Sequence, residues 1–235
     1  MSNRAMNTQA GRPRTVIVLG KGTLAIRIAD WFYRSPDYHL TQVVPVIPEP
    51  TWTDSLTEWA REHGVPVVAS GHYRDIEGVH DESWRVDLAM SVFYGHIIRP
   101  WFIAKCERIW NLHNGPLPRY RGVSPINWAL KNGERKHGVT IHEITSGIDD
   151  GPIIAQVEYS IYPEFDEVQD VYLRALEYGW TLFQQTMPLA DRITPRPQDE
   201  SLATYYSREH DALLGDRRDF TRAASRRQLA ASDRH

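Results

Sequence analysis

The sequence holds a single cysteine, Cys106, in 235 residues, so no internal disulfide can form. It has no run approaching about 18 apolar residues, which excludes a membrane-spanning helix. The first 14 residues, MSNRAMNTQAGRPR, lack the apolar stretch that a secretory signal needs. Charge of one sign is also missing: 27 Lys+Arg against 30 Asp+Glu gives a formal −3, with no overall pull toward nucleic acid. The ten histidines show no metal-binding spacing such as His-Glu-x-x-His. There is no internal repeat, and biased composition is confined to the C-terminal tail. These absences lead to the expectation of a soluble cytoplasmic protein that acts on a small molecule, with no metal, no nucleic acid and no membrane as partner.

What is present suffices for one core. A chain of this length buries roughly 70% of the surface that its unfolded form exposes. The run Thr15-Val16-Ile17-Val18-Leu19 reads as a buried strand and residues 23–34 as a helix. The same logic repeats: strands over 40–47, 65–69 and 86–93, with a helix over 54–64. Strands spaced by helices predict an α/β fold, a Rossmann-like, mostly parallel sheet flanked by helices. A strand over 108–112 and a helix over 125–132 follow. Two alternating, half-exposed strands come next, around 139–144 and over 152–161. Val168, Val171, Tyr172, Ala175, Leu176, Gly179, Leu182 and Phe183 keep helical spacing, with Asp166 and Gln169 as its expected capping box. The expected organisation is a disordered tail at 1–13, a domain over 14–190, an extension packed on it over 191–220, and a disordered tail at 221–235.

Gly20-Lys21-Gly22-Thr23-Leu24-Ala25 joins the first strand to the first helix, where a dinucleotide fingerprint would place its pyrophosphate. The acidic residue that such a site wants is late: Glu49 follows two prolines. A tight turn alone explains the glycines. The intermediate reading gives Lys21, Gly22 and Thr23 a substrate phosphate.

Asn111-Leu112-His113-Asn114-Gly115-Pro116-Leu117-Pro118-Arg119-Tyr120-Arg121-Gly122 is richer in chemistry than an ordinary loop. Asn111 and His113, two apart at the end of a strand, point to the same side. One can donate to a developing oxyanion while the other moves protons; a satisfied structural pair has the same spacing.

Asn111-x-His113, then Leu117-Pro118-x-Tyr120-Arg121-Gly122, Gly138-Val139-Thr140-Ile141-His142 and Gly147-Ile148-Asp149-Asp150-Gly151-Pro152-Ile153-Ile154 together resemble the folate-dependent formyltransferases. The resemblance covers roughly residues 15–206 and implies transfer of a formyl group from 10-formyltetrahydrofolate to an amine. It places the family's catalytic Asn, His and Asp on Asn111, His113 and Asp149, the last 36 positions after the histidine. Asp150 falls where the family is more often small or polar. In this chemistry Asn111 donates to the oxyanion, a contact typically worth about 3 kcal/mol in the transition state. His113 takes the amine's proton or holds the oxyanion as imidazolium. Asp149 orients His113, stabilises its charged form, or holds a water that relays the proton; the residue types leave these open. The resemblance also implies a folate pocket lined by Phe93, Tyr94, Gly95, His96, Ile97 and Ile98, closed from the other side by Gly147, Ile148, Asp150 and Ile153. No metal is implied.

The resemblance leaves three acceptor classes open: an amino sugar on a nucleotide, glycinamide ribonucleotide, and methionyl-tRNA. The tRNA enzymes append a second domain, and 29 residues follow Tyr206 here, so tRNA is not expected. Pro125-Ile126-Asn127-Trp128-Ala129-Leu130 resembles the sugar N-formyltransferases. That resemblance implies a nucleotide-linked 4-amino-4,6-dideoxyhexose, on dTDP, as acceptor. Tyr120 and Trp128 are candidates for stacking on a sugar or base, and Arg121 or Lys21 for a pyrophosphate; Trp128 as a core residue and Arg121 as a loop-bonder are the structural alternatives. A homodimer is the family-level expectation. A non-catalytic nucleotide-binding module built on residues 20–25 is the reading outside enzymes.

Overall fold

The computed structural model describes residues 11–222. The expected tails fall mainly on 1–10 and 223–235, outside the described residues; at their inner ends Arg12 pairs with Asp87 and Arg222 with Glu167.

Strand β1 (Arg14–Gly20) leads through one residue into helix α1 (Gly22–Arg34), then β2 (Tyr38–Pro45), α2 (Leu56–Glu62), β3 (Val86–Val92), the single turn α3 (Pro100–Ile103) and β4 (Cys106–His113). These four strands are parallel, in the order β2-β1-β3-β4. The unbroken apolar run of β1 has its reason in this position. Val16 and Val18 enter one core and Ile17 and Leu19 the other, all fully buried between layers on both faces.

After β4 come the two-residue strand β5 (Arg121–Gly122), α4 (Pro125–Lys131), β6 (Lys136–Glu143), β7 (Ile153–Ser160) and the long helix α5 (Val168–Thr186). β6 and β7 extend the sheet antiparallel, beyond β4, so the six-stranded sheet is mixed. The expected half-exposure of β6 is corrected: Val139, Thr140 and Ile141 are fully buried and His142 nearly so. One face lies against the core under α5. The other is covered by the loop after β4, where Thr140 Oγ1 donates to Gly115 O (2.7 Å) and accepts from Leu117 N (3.2 Å).

Two further local expectations are corrected. The strand expected over 65–69 contracts to one bridge, Val43 to Val67. The capping box of α5 sits on Glu167 and Asp170, because Asp166 is already used by Tyr162 N (2.7 Å) and Arg174 (2.9 Å). Beyond α5 the chain returns across the loop after β4. Arg196 bridges Ile153, β8 (Tyr205–Tyr206) pairs with β5, and 3-10 turns over Arg208–Arg218 pack beside α4. Among the described residues no helix is long and apolar enough to cross a membrane.

Candidate active site

At the C-terminal end of β4, Asn111 and His113 face the crevice at which open α/β sheets bind ligands. Asn111 is fixed at both ends of its amide. Ser91 on β3 donates to Oδ1 (2.8 Å), so Nδ2 faces the crevice, where it donates to His142 Nε2 (3.1 Å) and Asp149 Oδ1 (3.3 Å). His142 is buried on β6, the register partner of Asn111; its Nδ1 donates to Glu143 O (2.8 Å), which leaves Nε2 as an acceptor.

Asp149 sits in the loop between β6 and β7 with φ +52, a left-handed backbone uncommon away from glycine and asparagine. Its Oδ2 accepts Gly122 N–H (2.9 Å) and lies 3.5 Å from His113 Nδ1; Oδ1 lies 3.4 Å from His142 Nε2. Burial alone would push the Asp149 pKa up, but the neighbouring His113 and the Gly122 N–H that it accepts hold it well below the usual carboxylate range. His113 is the deeper partner, 6% exposed, with Nε2 on Tyr120 O at 2.8 Å. Burial pushes its pKa down, opposed by Asp149 and assisted by His142. The pair is an ionised carboxylate at the crevice with a neutral imidazole behind it.

Gly122 cannot be replaced here without loss. Its φ is +90, and a Cβ would lie 2.1 Å from Tyr206 O. Gly122→Ala is therefore expected to cost about 2 kcal/mol or more in urea denaturation and to displace the N–H that Asp149 accepts. A variant as stable as wild type would show that this approach is not close in solution.

The residues expected to line the folate separate into two groups. Gly95, His96, Ile97, Gly147, Ile148 and Asp150 are exposed, with the apolar Ile97 and Ile148 bared at 56% and 40% on two different loops. Phe93 is half-buried at the lip, with φ +56. Tyr94, Ile98 and Ile153 are committed to structure. The Tyr94 hydroxyl donates to Gly71 O (2.7 Å), Ile98 is buried in a core cluster, and Ile153 exchanges backbone bonds with Arg196 (2.7 and 2.8 Å).

The expected acceptor residues also divide. Arg121 is fully engaged, with its guanidinium on Glu200 (2.7 and 2.9 Å) and Gln198 (2.8 and 3.1 Å). Trp128 is buried and stacked on Tyr206 (4.3 Å), which also stacks with Tyr120 (5.8 Å), so these rings face one another. Gly22, at φ +74, closes the strand-to-helix turn against Thr53. Thr23 N meets Thr53 Oγ1 (3.3 Å) and Thr23 Oγ1 meets Asp54 (2.8 Å), so this helix end already has an acidic neighbour. Lys21 is different. It has no ion pair among the described residues, and its pKa is lowered by burial and by Arg208.

Three residues that the structure joins to the site have no assigned role in the sequence pattern: His142 stands there only as the end of the 138–142 motif and of a β alternation, Ser91 only as the first residue of the strand end that leads into 93–98, and Gln198 in no motif at all.

The formyl transferase family profile matches residues 37–187. A methionyl-tRNA formyltransferase of Fervidobacterium nodosum is 36% identical over 151 residues, 64% of this chain and 47% of that protein. The chain spans about half the length, or less, of the curated relatives it matches. A sugar 3N-formyl transferase crystallised with dTDP and 5-N-formyl-THF aligns over 85% of this chain and 71% of its own, with TM-score 0.72 and 24% identity. The N-formyltransferase of Helicobacter canadensis, in complex with folinic acid and dTDP-3-aminofucose, aligns over 84% and 71%, with TM-score 0.70 and 24% identity. At these identities the likeness is one of fold.

Proposed function

This chain belongs to the formyl transferase family, and from that premise we propose that it moves a formyl group from 10-formyltetrahydrofolate to the amine of a nucleotide-linked sugar. The observation that carries the chemistry is the convergence of an amide donor, a carboxylate and an imidazole at the end of β4. Beside them, Ile97 and Ile148 present apolar surface from two loops. Among the described residues Gly95 and His96 make no backbone hydrogen bond, which leaves their N–H and C=O groups for the polar edge of an apolar ring.

Asn111 Nδ2 exchanges its long contact with Asp149 for the formyl oxygen, whose charge grows as the amine bonds to the formyl carbon. The Asp149 carboxylate, the more exposed partner, meets the nitrogen that becomes positive, and neutral His113 shares the proton through Nδ1. As the bond to the folate nitrogen breaks, the pair returns that proton to it.

The acceptor reading rests on Lys21 and Arg208. β1 lies two strands from β4, about 10 Å at the usual spacing. A cation pair at that distance suits a diphosphate joined through a sugar ring to the reacting amine. A 4-amino-4,6-dideoxyhexose on dTDP is the first acceptor to test. The second reading is methionyl-tRNA, favoured by the names of the curated relatives.

Mass spectrometry after incubation with 10-formyltetrahydrofolate, against a panel of dTDP- and UDP-amino sugars, glycinamide ribonucleotide and methionyl-tRNA, decides among these. One formyl mass gained on a sugar, and lost in His113→Ala, is the expected result; transfer only to methionyl-tRNA or the ribonucleotide reassigns the acceptor. Lys21→Met is expected to raise KM for the sugar nucleotide about tenfold with kcat little changed, the pattern of lost ground-state binding. An unchanged KM would remove Lys21 from the acceptor site.

A further inference from the structure

We propose that Gln198 is a positioning residue, and that the strap formed by residues 196–206 sets the separation of Asp149 and His113. The proposal rests on reading that pair as the proton-handling part of the site. Gln198 Nε2 donates to the carbonyls of Asp149 (2.8 Å) and Gly151 (2.7 Å), holding both ends of the turn on which Asp149 adopts its left-handed backbone. Its Oε1 accepts from Arg121 Nε (3.1 Å) and Nη2 (2.8 Å), and Glu200 closes on the same guanidinium. Both ends of the amide are thus spent between the Asp149 turn and β5.

Six residues on, the strap grips the histidine side. Thr204 Oγ1 accepts Tyr120 N–H (2.8 Å) and Thr204 O accepts Arg121 N–H (2.9 Å). The carbonyl of Tyr120 is the acceptor for His113 Nε2. One short segment therefore holds both partners of a contact whose Nδ1 to Oδ2 gap, 3.5 Å, lies just beyond hydrogen-bond range. At that distance a displacement well under 1 Å decides whether a proton can pass.

Backbone pairing such as Arg196 with Ile153 would suffice to lay the strap on the domain. A side-chain amide directed at the carbonyls of Asp149 and Gly151 does more. The strap lies beyond residues 37–187, which carry the family match.

Gln198→Met keeps the side chain's length without donor or acceptor. The readout that needs no acceptor is the NMR titration of 15N-labelled His113, whose titratable neighbours are Asp149, His142 and His137. Of these, only Asp149 favours the imidazolium, so a loosened turn lowers the midpoint. The expected result is a fall of about half a pH unit or more. Formyl transfer should fall about 10- to 100-fold in kcat, with KM for 10-formyltetrahydrofolate within about twofold and an unchanged melting temperature. Thr204→Val releases the other grip and is expected to lower the same midpoint, which keeps the test available if the first variant does not fold. A His113 midpoint equal to wild type in a folded variant overturns the proposal, as does a loss of kcat that follows only a loss of melting temperature. Were wild type inactive on every acceptor, the titration would still decide the positioning role, separately from the reaction.

Discussion

Asp149→Asn is expected to yield a folded protein whose formyl transfer is slower by about 10²- to 10⁴-fold, the range for losing a positioned acid–base group. The substitution keeps the side chain's shape, and its oxygen can still accept the Gly122 N–H. What it removes is charge. His113 lies where burial lowers its pKa, and the Asp149 carboxylate is the neighbour that opposes this. Without it, the imidazolium formed when the amine gives up its proton has no counter-charge at a buried position. Single-turnover transfer, with near-UV circular dichroism as a check of fold, measures the effect. Activity within about threefold of wild type would take Asp149 out of the chemistry.

The second large effect is on stability against acid. His137 on β6 is fully buried; Nε2 bonds to Asn114 O (2.9 Å), Nδ1 has no hydrogen-bond partner among the described residues, and burial pushes its pKa down to about 3. In the unfolded chain a histidine titrates near 6.5. Between these values the unfolded state binds the extra proton, so this contribution to stability is complete above about pH 6.5 and is lost progressively as pH falls toward 3. From pH 6.5 to 5 the loss amounts to about 2 kcal/mol. His137→Gln, which retains an amide donor, is expected to flatten the dependence of the urea midpoint on pH over that interval. An equally steep profile in the variant would assign the acid lability to His113 or to other groups.

The sequence exposed those features whose cause is local. The run 15–19 announces a strand buried on both faces because a central parallel strand has no wet side. Asn111 and His113 announce themselves because two residues on one strand face one way. His142 was hidden for the converse reason: it reaches Asn111 only through an antiparallel register that pairs 111 with 142, and no property of either segment fixes that register. The aromatic residues misdirect for a similar cause. Tyr120 and Trp128 look free to stack on a ligand until Tyr206 returns from far along the chain to fill the space. Arg121 looks like an anion binder until Glu200 and Gln198 arrive. The capping box slipped by one residue because Asp166 had a stronger claim from Arg174, a partner eight positions away. For the histidine, the aromatic rings and the guanidinium the deciding partner is distant in sequence.

That distance also imposes an order in time. Tyr120 and Thr204 are bonded across 84 positions of chain. As the chain leaves the ribosome, its N-terminal portions fold before its C-terminal ones are made. Six sheet strands, including the one bearing Asn111 and His113, are complete by residue 160, and α5 can cover them by residue 186. The amide that grips the Asp149 turn is added only at residue 198. A growing chain therefore acquires its sheet and its reacting groups well before the segment that draws those groups into register.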